Sequence, residues 1–225
     1  MNYFAHGLRF LDRPWVLAGT AVPDWLSVAD RGVRMRERQV APFAAGAGAD
    51  AELAAGILAH LEDDRWFHQT AAFYETCGDL TRLFRDALGA ADGHRPGFLG
   101  HVATELLMDA LLIAREPARL DRYYAALDRV DPAGIEQAVN RMARRPTGRL
   151  SMFVEIFRRE RFLADYLEPP RLLFRLNQVL RRIKLNPLPE SFVVALMDAR
   201  EIVSARLDGL LPAERFGTAL EGNLR

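Results

Sequence analysis

The chain has one cysteine, Cys77, one lysine, Lys184, and no excess of either charge: 30 Lys+Arg residues balance 30 Asp+Glu over 225 residues. A single cysteine excludes an intrachain disulfide and fits a reducing compartment. Cys77 stands just before Gly78 with no motif around it, so a structural thiol is expected rather than a nucleophile. The balanced charge gives no whole-chain argument for nucleic acid or an anionic membrane, and no stable nucleic-acid binding is expected. The scarcity of lysine beside so much arginine reads as codon bias. No uninterrupted apolar run approaches the length of a bilayer span, and the opening MNYFAHGLRFLDRPW lacks the apolar core of a secretory signal. A cytoplasmic protein without a transmembrane segment is the expectation, and a homodimer is compatible with it.

Strictly alternating β-branched runs are absent too, which removes the pattern of a half-buried strand. Ala, Leu and Arg dominate, and half the residues are hydrophobic. The expectation is a single all-α domain over 1–225: a multi-helix bundle around a buried metal site in residues 1–115, with additional C-terminal helices in 116–225. A short helix is expected over Tyr3–Leu11. Pro14 and Pro23 are expected to break the next stretch and leave Asp24 near a loop or helix start. Asp50 is the expected N-cap of a helix that runs through His60, Asp64 and His68 and continues or restarts through Tyr74, and Asp79 that of another ending near Leu88. Gly89–Gly97 reads as a loop, followed by a helix over about Phe98–Arg115. Pro117 opens a helix to Val130, Asp131-Pro132 reads as an N-cap and N1 pair, and further helices are expected over Leu150–Tyr166, Pro170–Ile183 and Glu190–Leu210.

Against this apolar background two polar strings stand out. His60, Asp64 and His68 are spaced i, i+4, i+8, and His101, Glu105 and Asp109 repeat the spacing. On an α-helix a step of four advances about 40° round the axis, so each string makes one polar stripe on one face. The first runs among Ile57, Leu58, Leu61, Trp66 and Phe67, the second among Val102, Leu106, Leu107, Leu111, Leu112 and Ile113. Carboxylates in such surroundings need a partner, and a divalent metal (Zn, Mn or Fe) is a natural one. The bland alternative is an exposed helix face that carries acids and histidines.

Upstream, His6 sits in Phe4-Ala5-His6, where a lone histidine more often belongs to the core. Asp24 sits in Val22-Pro23-Asp24-Trp25, where a lone Asp is more often an N-cap. Taken together, His6, the Pro23-Asp24 pair, His60-x-x-x-Asp64 and His101-x-x-x-Glu105 form an ordered series. That series resembles the zinc-dependent phospholipase C and S1/P1 nuclease family. The opening Met1-Asn2-Tyr3-Phe4-Ala5-His6 is similar to the start of the acyl-carrier-protein phosphodiesterases. The resemblance covers about Met1 to Arg115. It implies an all-α fold around two or more metals, with His6, Asp24, His60, Asp64, His68, His101 and Glu105 as ligands. Asp109 has no role carried over and is expected to orient a ligand histidine. This chain departs from the phospholipases, which use a mature N-terminal amine and carry a further His-x-His, and from the acyl-carrier-protein enzymes, whose His–Asp–Asp-x-His run is longer.

Two metals bridged by a carboxylate would lower the pKa of a shared water and clamp phosphoryl oxygens, with Asp24 as general base if it reaches that water. Arg31 and Arg34, with Arg36 and Arg38 behind them, are expected to contact the phosphate; the alternative is a solvated helix face. Between Arg141 and Lys184 basic clusters alternate with Phe153, Phe157, Phe162, Tyr166 and Phe174, most simply as amphipathic helices with the aromatics inside. The sequence therefore points to a metal-dependent phosphoester hydrolase. Its substrate would be a phosphodiester, protein-linked or lipid. The alternative is a non-catalytic helical metal-binding protein that uses its basic C-terminal half for a partner. A di-iron redox protein is weaker, because the paired Glu-x-x-His of ferritin-like bundles is missing.

Overall fold

A computed structural model describes residues 1–89 and 94–216. Among them there are helices and no strand, so the chain is an all-α, multi-helix protein as its pattern predicts. Residues 90–93 of the expected Gly89–Gly97 loop lie outside the described residues. The helices are α1 (Tyr3–Gly7), α2 (Pro14–Ala29), α3 (Glu37–Ala44), α4 (Ala49–Phe67), α5 (Ala71–Leu88), α6 (Pro96–Arg115), α7 (Ala118–Asp128), α8 (Pro132–Met142), α9 (Leu150–Glu160), α10 (Pro169–Arg182), α11 (Phe192–Ala205), α12 (Leu207–Leu210) and α13 (Ala213–Phe216). They form two compact units. The first takes Met1–Trp66 and Pro117–Phe162; the second takes Phe67–Glu116 and the residues from Leu163 on. Each unit draws helices from both halves of the sequence.

In the first unit Phe157 of α9 is an aromatic hub. Its ring lies 5.0 Å from Tyr3, 5.4 Å from Trp25 and 5.8 Å from Tyr124. All four side chains are buried, and each large apolar side chain taken out of water contributes roughly 1.5–3 kcal/mol. The expected break at Pro23 does not occur: α2 runs straight through it. Proline there removes one ladder hydrogen bond, but Val16 to Val22, Trp25 and Leu26 are all buried on this helix, and that packing outweighs the loss. Asp24 is therefore inside a helix and caps nothing. Asp131 does cap α8, accepting from the backbone N–H groups of Ala133 and Gly134.

The backbones of α2 and α4 touch. A Cβ on Gly19 would come within 2.2 Å of the Leu53 carbonyl oxygen, and one on Gly56 within 2.0 Å of the Val16 carbonyl oxygen. Only glycine permits this crossing, and it brings the α2 residue Thr20 against the α4 residue His60.

In the second unit α6 is the central helix, packed on α5, α10 and α11. Gly100 lets it approach α5, since a Cβ there would sit 2.8 Å from the Cys77 carbonyl oxygen. α6 is the one described helix long and apolar enough to cross a bilayer, with mean hydropathy 1.4. It carries His101, Glu105 and Asp109, and most of it is buried against its neighbours, as in a core helix. Asp79 is not the N-cap of α5. That helix starts eight residues earlier, with Thr70 accepting from Phe73 N–H at 3.2 Å, and Asp79 instead pairs from mid-helix with Arg82 and Arg206. Asp50 likewise lies within the first turn of α4 and pairs with Arg141 at 2.6 Å.

The helix crossing is open to test. Gly56→Ala and Gly19→Ala are each expected to lower stability by about 1–3 kcal/mol in urea unfolding, because the added methyl meets rigid backbone. Gly78→Ala in α5, with nothing within 4 Å of its new Cβ, should instead be neutral or gain up to about 1 kcal/mol. Equal effects at Gly56 and Gly78 would show that α2 and α4 are free to separate.

Candidate metal centre

The structure divides the sequence-predicted ligands into two groups, one in each unit: His6, His60 and Asp64, and His68, His101 and Glu105. Within each group one ligand atom per residue lies within 4.8 Å of the others. The expected stripe His60–Asp64–His68 is split because α4 ends at Phe67. His68 falls in the turn beyond the helix and leaves the stripe that His60 and Asp64 share.

In the first group α4 presents His60 and Asp64 one turn apart, and α1 brings His6 over them. The two imidazoles stack at 3.9 Å between centroids. His60 Nδ1 lies 2.8 Å from the Thr20 carbonyl oxygen. A carbonyl only accepts, so Nδ1 carries the proton, and in the neutral ring Nε2 is left as a lone-pair donor to a metal. That Nε2 faces Asp64 Oδ2 at 3.4 Å. Two acceptors so placed are favourable only with a proton or a cation between them. His6 is fully buried, its Nε2 is 3.2 Å from Asp64 Oδ1, and neither of its ring nitrogens has an aligned hydrogen-bond partner. Burial would by itself raise the Asp64 carboxyl; the His6 and His60 imidazoles and the Met1 ammonium, 2.7 Å from Oδ1, overrule it and hold the group well below the usual carboxylate range. Behind His6, the buried Asp63 pairs with Arg9 and lies 3.8 Å from His6 Nδ1.

In the second group His68 Nε2 and His101 Nε2 converge on one oxygen, Glu105 Oε1, at 3.0 and 3.2 Å. His101 and Glu105 share a face of α6 one turn apart. Phe73 of α5 packs edge-on against both imidazoles, 4.9 Å from His68 and 5.0 Å from His101. Burial would raise the Glu105 carboxyl, but positive charge and the hydrogen bonds of the two histidines hold it below its ordinary range. The histidines of this group are more open than those of the first: the His101 side chain is 44% exposed and that of His68 32%, against 0% and 3% for His6 and His60, while Glu105 at 16% is less exposed than Asp64 at 33%.

The other sequence candidates stand apart. Asp24 lies one turn past Thr20 on α2 and joins neither group. Asp109 is fully buried one turn past Glu105, outside the group. Arg31 is exposed, with Nε on the Ser27 carbonyl oxygen at 3.2 Å. Arg34 lines a separate pocket. Sequence reasoning missed Asp63, Arg9, Phe73 and the Thr20 carbonyl. The Asp63-Asp64 doublet and Arg9, one turn beyond His6, were the signals for the first two; nothing in the sequence marks a backbone carbonyl or an aromatic wall.

The donor set fits a divalent cation in both groups: imidazole nitrogens and a carboxylate within reach of one point, with buried His6 nitrogens that meet only the Asp63 and Asp64 carboxylates, out of hydrogen-bond alignment. The chain matches no family model, no curated protein and no solved structure.

Two measurements bear on the local chemistry. Cys77 is 3.6 Å from Thr104 Oγ1, and burial, with Glu105 nearby, pushes its thiol up to about 11. Iodoacetamide should therefore label native Cys77 about a hundredfold more slowly than an unfolded control near neutral pH; equal rates would show an accessible thiolate. Asp64 is held low in the folded state, so its stabilising contribution is complete above the unfolded carboxylate value of about 3.9 and is lost as pH falls below it. In chelator, Asp64→Asn should flatten the loss of stability between about pH 5 and pH 2, and an unchanged slope would contradict the pairing.

Proposed function

We propose that the protein is a metal-dependent phosphoester hydrolase acting on a phosphodiester. The observation that carries the reading is the second group, where two imidazoles and one carboxylate converge at an accessible position. Two histidines and a carboxylate are a donor set of catalytic zinc sites, which leave the fourth position to water or substrate. The phosphoester class rests on the ordered series of His6, Pro23-Asp24, His60-x-x-x-Asp64 and His101-x-x-x-Glu105 and on its resemblance to phosphodiesterases. Zn, Mn or Fe in this setting supplies a water of lowered pKa and a positive pole for phosphoryl oxygens.

The chain's own residues do the rest. His68 and His101 present Nε2, and Glu105 stays ionised among them, as a ligand must. Phe73 packs edge-on against both rings and restricts their rotation. In the first group Thr20 sets the tautomer of His60, and Asp64 supplies the compensating charge. The reading makes no use of Asp24 as a base, since Asp24 lies outside both groups.

A second reading, a non-catalytic helical metal-binding protein, draws on the burial of His6 and His60. A closed site of that kind stabilises a fold without leaving a position for substrate. The experiment is elemental analysis of untagged protein beside hydrolysis of bis(p-nitrophenyl) phosphate, for wild type, His60→Ala and His101→Ala. The hydrolase reading expects at least one equivalent of metal and activity that falls at least about a hundredfold in His101→Ala. Metal without hydrolysis, lost in His60→Ala, would favour the structural site. No metal, and no uptake on addition, would overturn both.

A further inference from the structure

Away from both metal groups, two arginine pairs distant in sequence meet. Arg34 and Arg36 lie between α2 and α3, and Arg144 and Arg145 lie between α8 and α9, all in the first unit. Together with Gly32 and Gln39 they line one pocket of about 120 Å³. Gly32 is part of its construction: a Cβ there would come within 3.2 Å of the Arg145 guanidinium, so the bare backbone lets Arg145 lie across the turn.

Arg65, Arg141 and Arg158 are matched with acids, Glu37, Asp50 and Asp128. None of the guanidinium groups of Arg34, Arg36, Arg144 and Arg145 takes part in an ion pair or hydrogen bond among the described residues. The acids nearest in sequence are engaged: Asp30 accepts from the Gly32 N–H, and Glu37 is held by Arg65. Four cations at one pocket repel one another, and a bound anion would turn that repulsion into attraction.

We propose that this pocket is a binding site for a single phosphate group, either free or as the terminal monoester of a small soluble molecule. Guanidinium forks match tetrahedral oxyanions in shape and charge, and several around one pocket suit a dianion. The volume commits the site to one phosphate: it is far below the roughly 300–1,000 Å³ of pockets that enclose drug-sized ligands. The site does not depend on the hydrolase reading, since it shares no residue with either metal group.

The test is calorimetric titration of the full chain, kept in EDTA so that no metal contributes, with inorganic phosphate and separately with glycerol phosphate. Saturable binding is expected for one or both, competed by sulfate. It should weaken at least about tenfold in Arg34→Gln/Arg145→Gln, the scale of a lost charge-assisted hydrogen bond, and stay unchanged in Arg181→Gln on α10. Preference for inorganic phosphate would identify a free anion, and preference for the ester a metabolite headgroup. If circular dichroism shows the double variant unfolded, the single Arg36→Gln replaces it. No saturation up to about 10 mM, where affinity would be too weak to matter, or equal affinity in the pocket variants, would overturn the proposal. So would tighter binding of single-stranded RNA lost in the same variants, which would make the arginines a polyanion track.

Discussion

The contact between the α2 and α4 backbones at Gly19 and Gly56 is the constraint on which the first metal group depends. With any side chain at either glycine the helices would stand further apart, and the Thr20 carbonyl would no longer reach His60 Nδ1 at 2.8 Å. That hydrogen bond fixes which nitrogen of His60 carries the proton, and so which one is available to a cation. A packing requirement thereby becomes a chemical one: close approach sets the tautomer, and the tautomer sets the ligand.

The same logic explains why so many polar groups survive in the interior. His6, His60, Asp63 and Asp64 would each be costly to bury alone. Asp63 is neutralised by Arg9 and Asp64 by the Met1 ammonium, and His60 Nδ1 donates to the Thr20 carbonyl. His6 alone keeps both ring nitrogens without an aligned partner. A buried imidazole that meets two carboxylates only in poor alignment is a cost that a cation between them would remove.

The all-α class was legible because the apolar residues recur at helical spacing and strand patterns are absent. Boundaries were less so. Pro23 reads as a breaker, yet the burial of α2 on either side keeps the helix intact. The stripe His60–Asp64–His68 reads as one ligand set, and a step of four is right for His60 with Asp64 and for His101 with Glu105. It fails at His68 because the helix stops one residue short, which a uniform spacing rule cannot register. His6 joined its group through tertiary packing of α1 that no local pattern encodes. The convergence of Arg34 and Arg36 with Arg144 and Arg145 was equally invisible, since more than a hundred residues separate the two pairs. What the sequence did show was that each segment is basic.

Exposure separates what the two groups can do. A coordination position is useful to catalysis only if substrate and water reach it, and then only if its ligands do not move when they arrive. The first group meets the second condition and fails the first: its histidines are buried and clamped by backbone and ion pairs. The second group meets the first condition through the exposed edges of His68 and His101, and approaches the second because Phe73 holds both rings and α6 holds His101 and Glu105 on one rigid face. If one of the two groups performs chemistry, the balance of access and rigidity assigns it to His68, His101 and Glu105, and leaves His6, His60 and Asp64 the work of holding α1, α2 and α4 together.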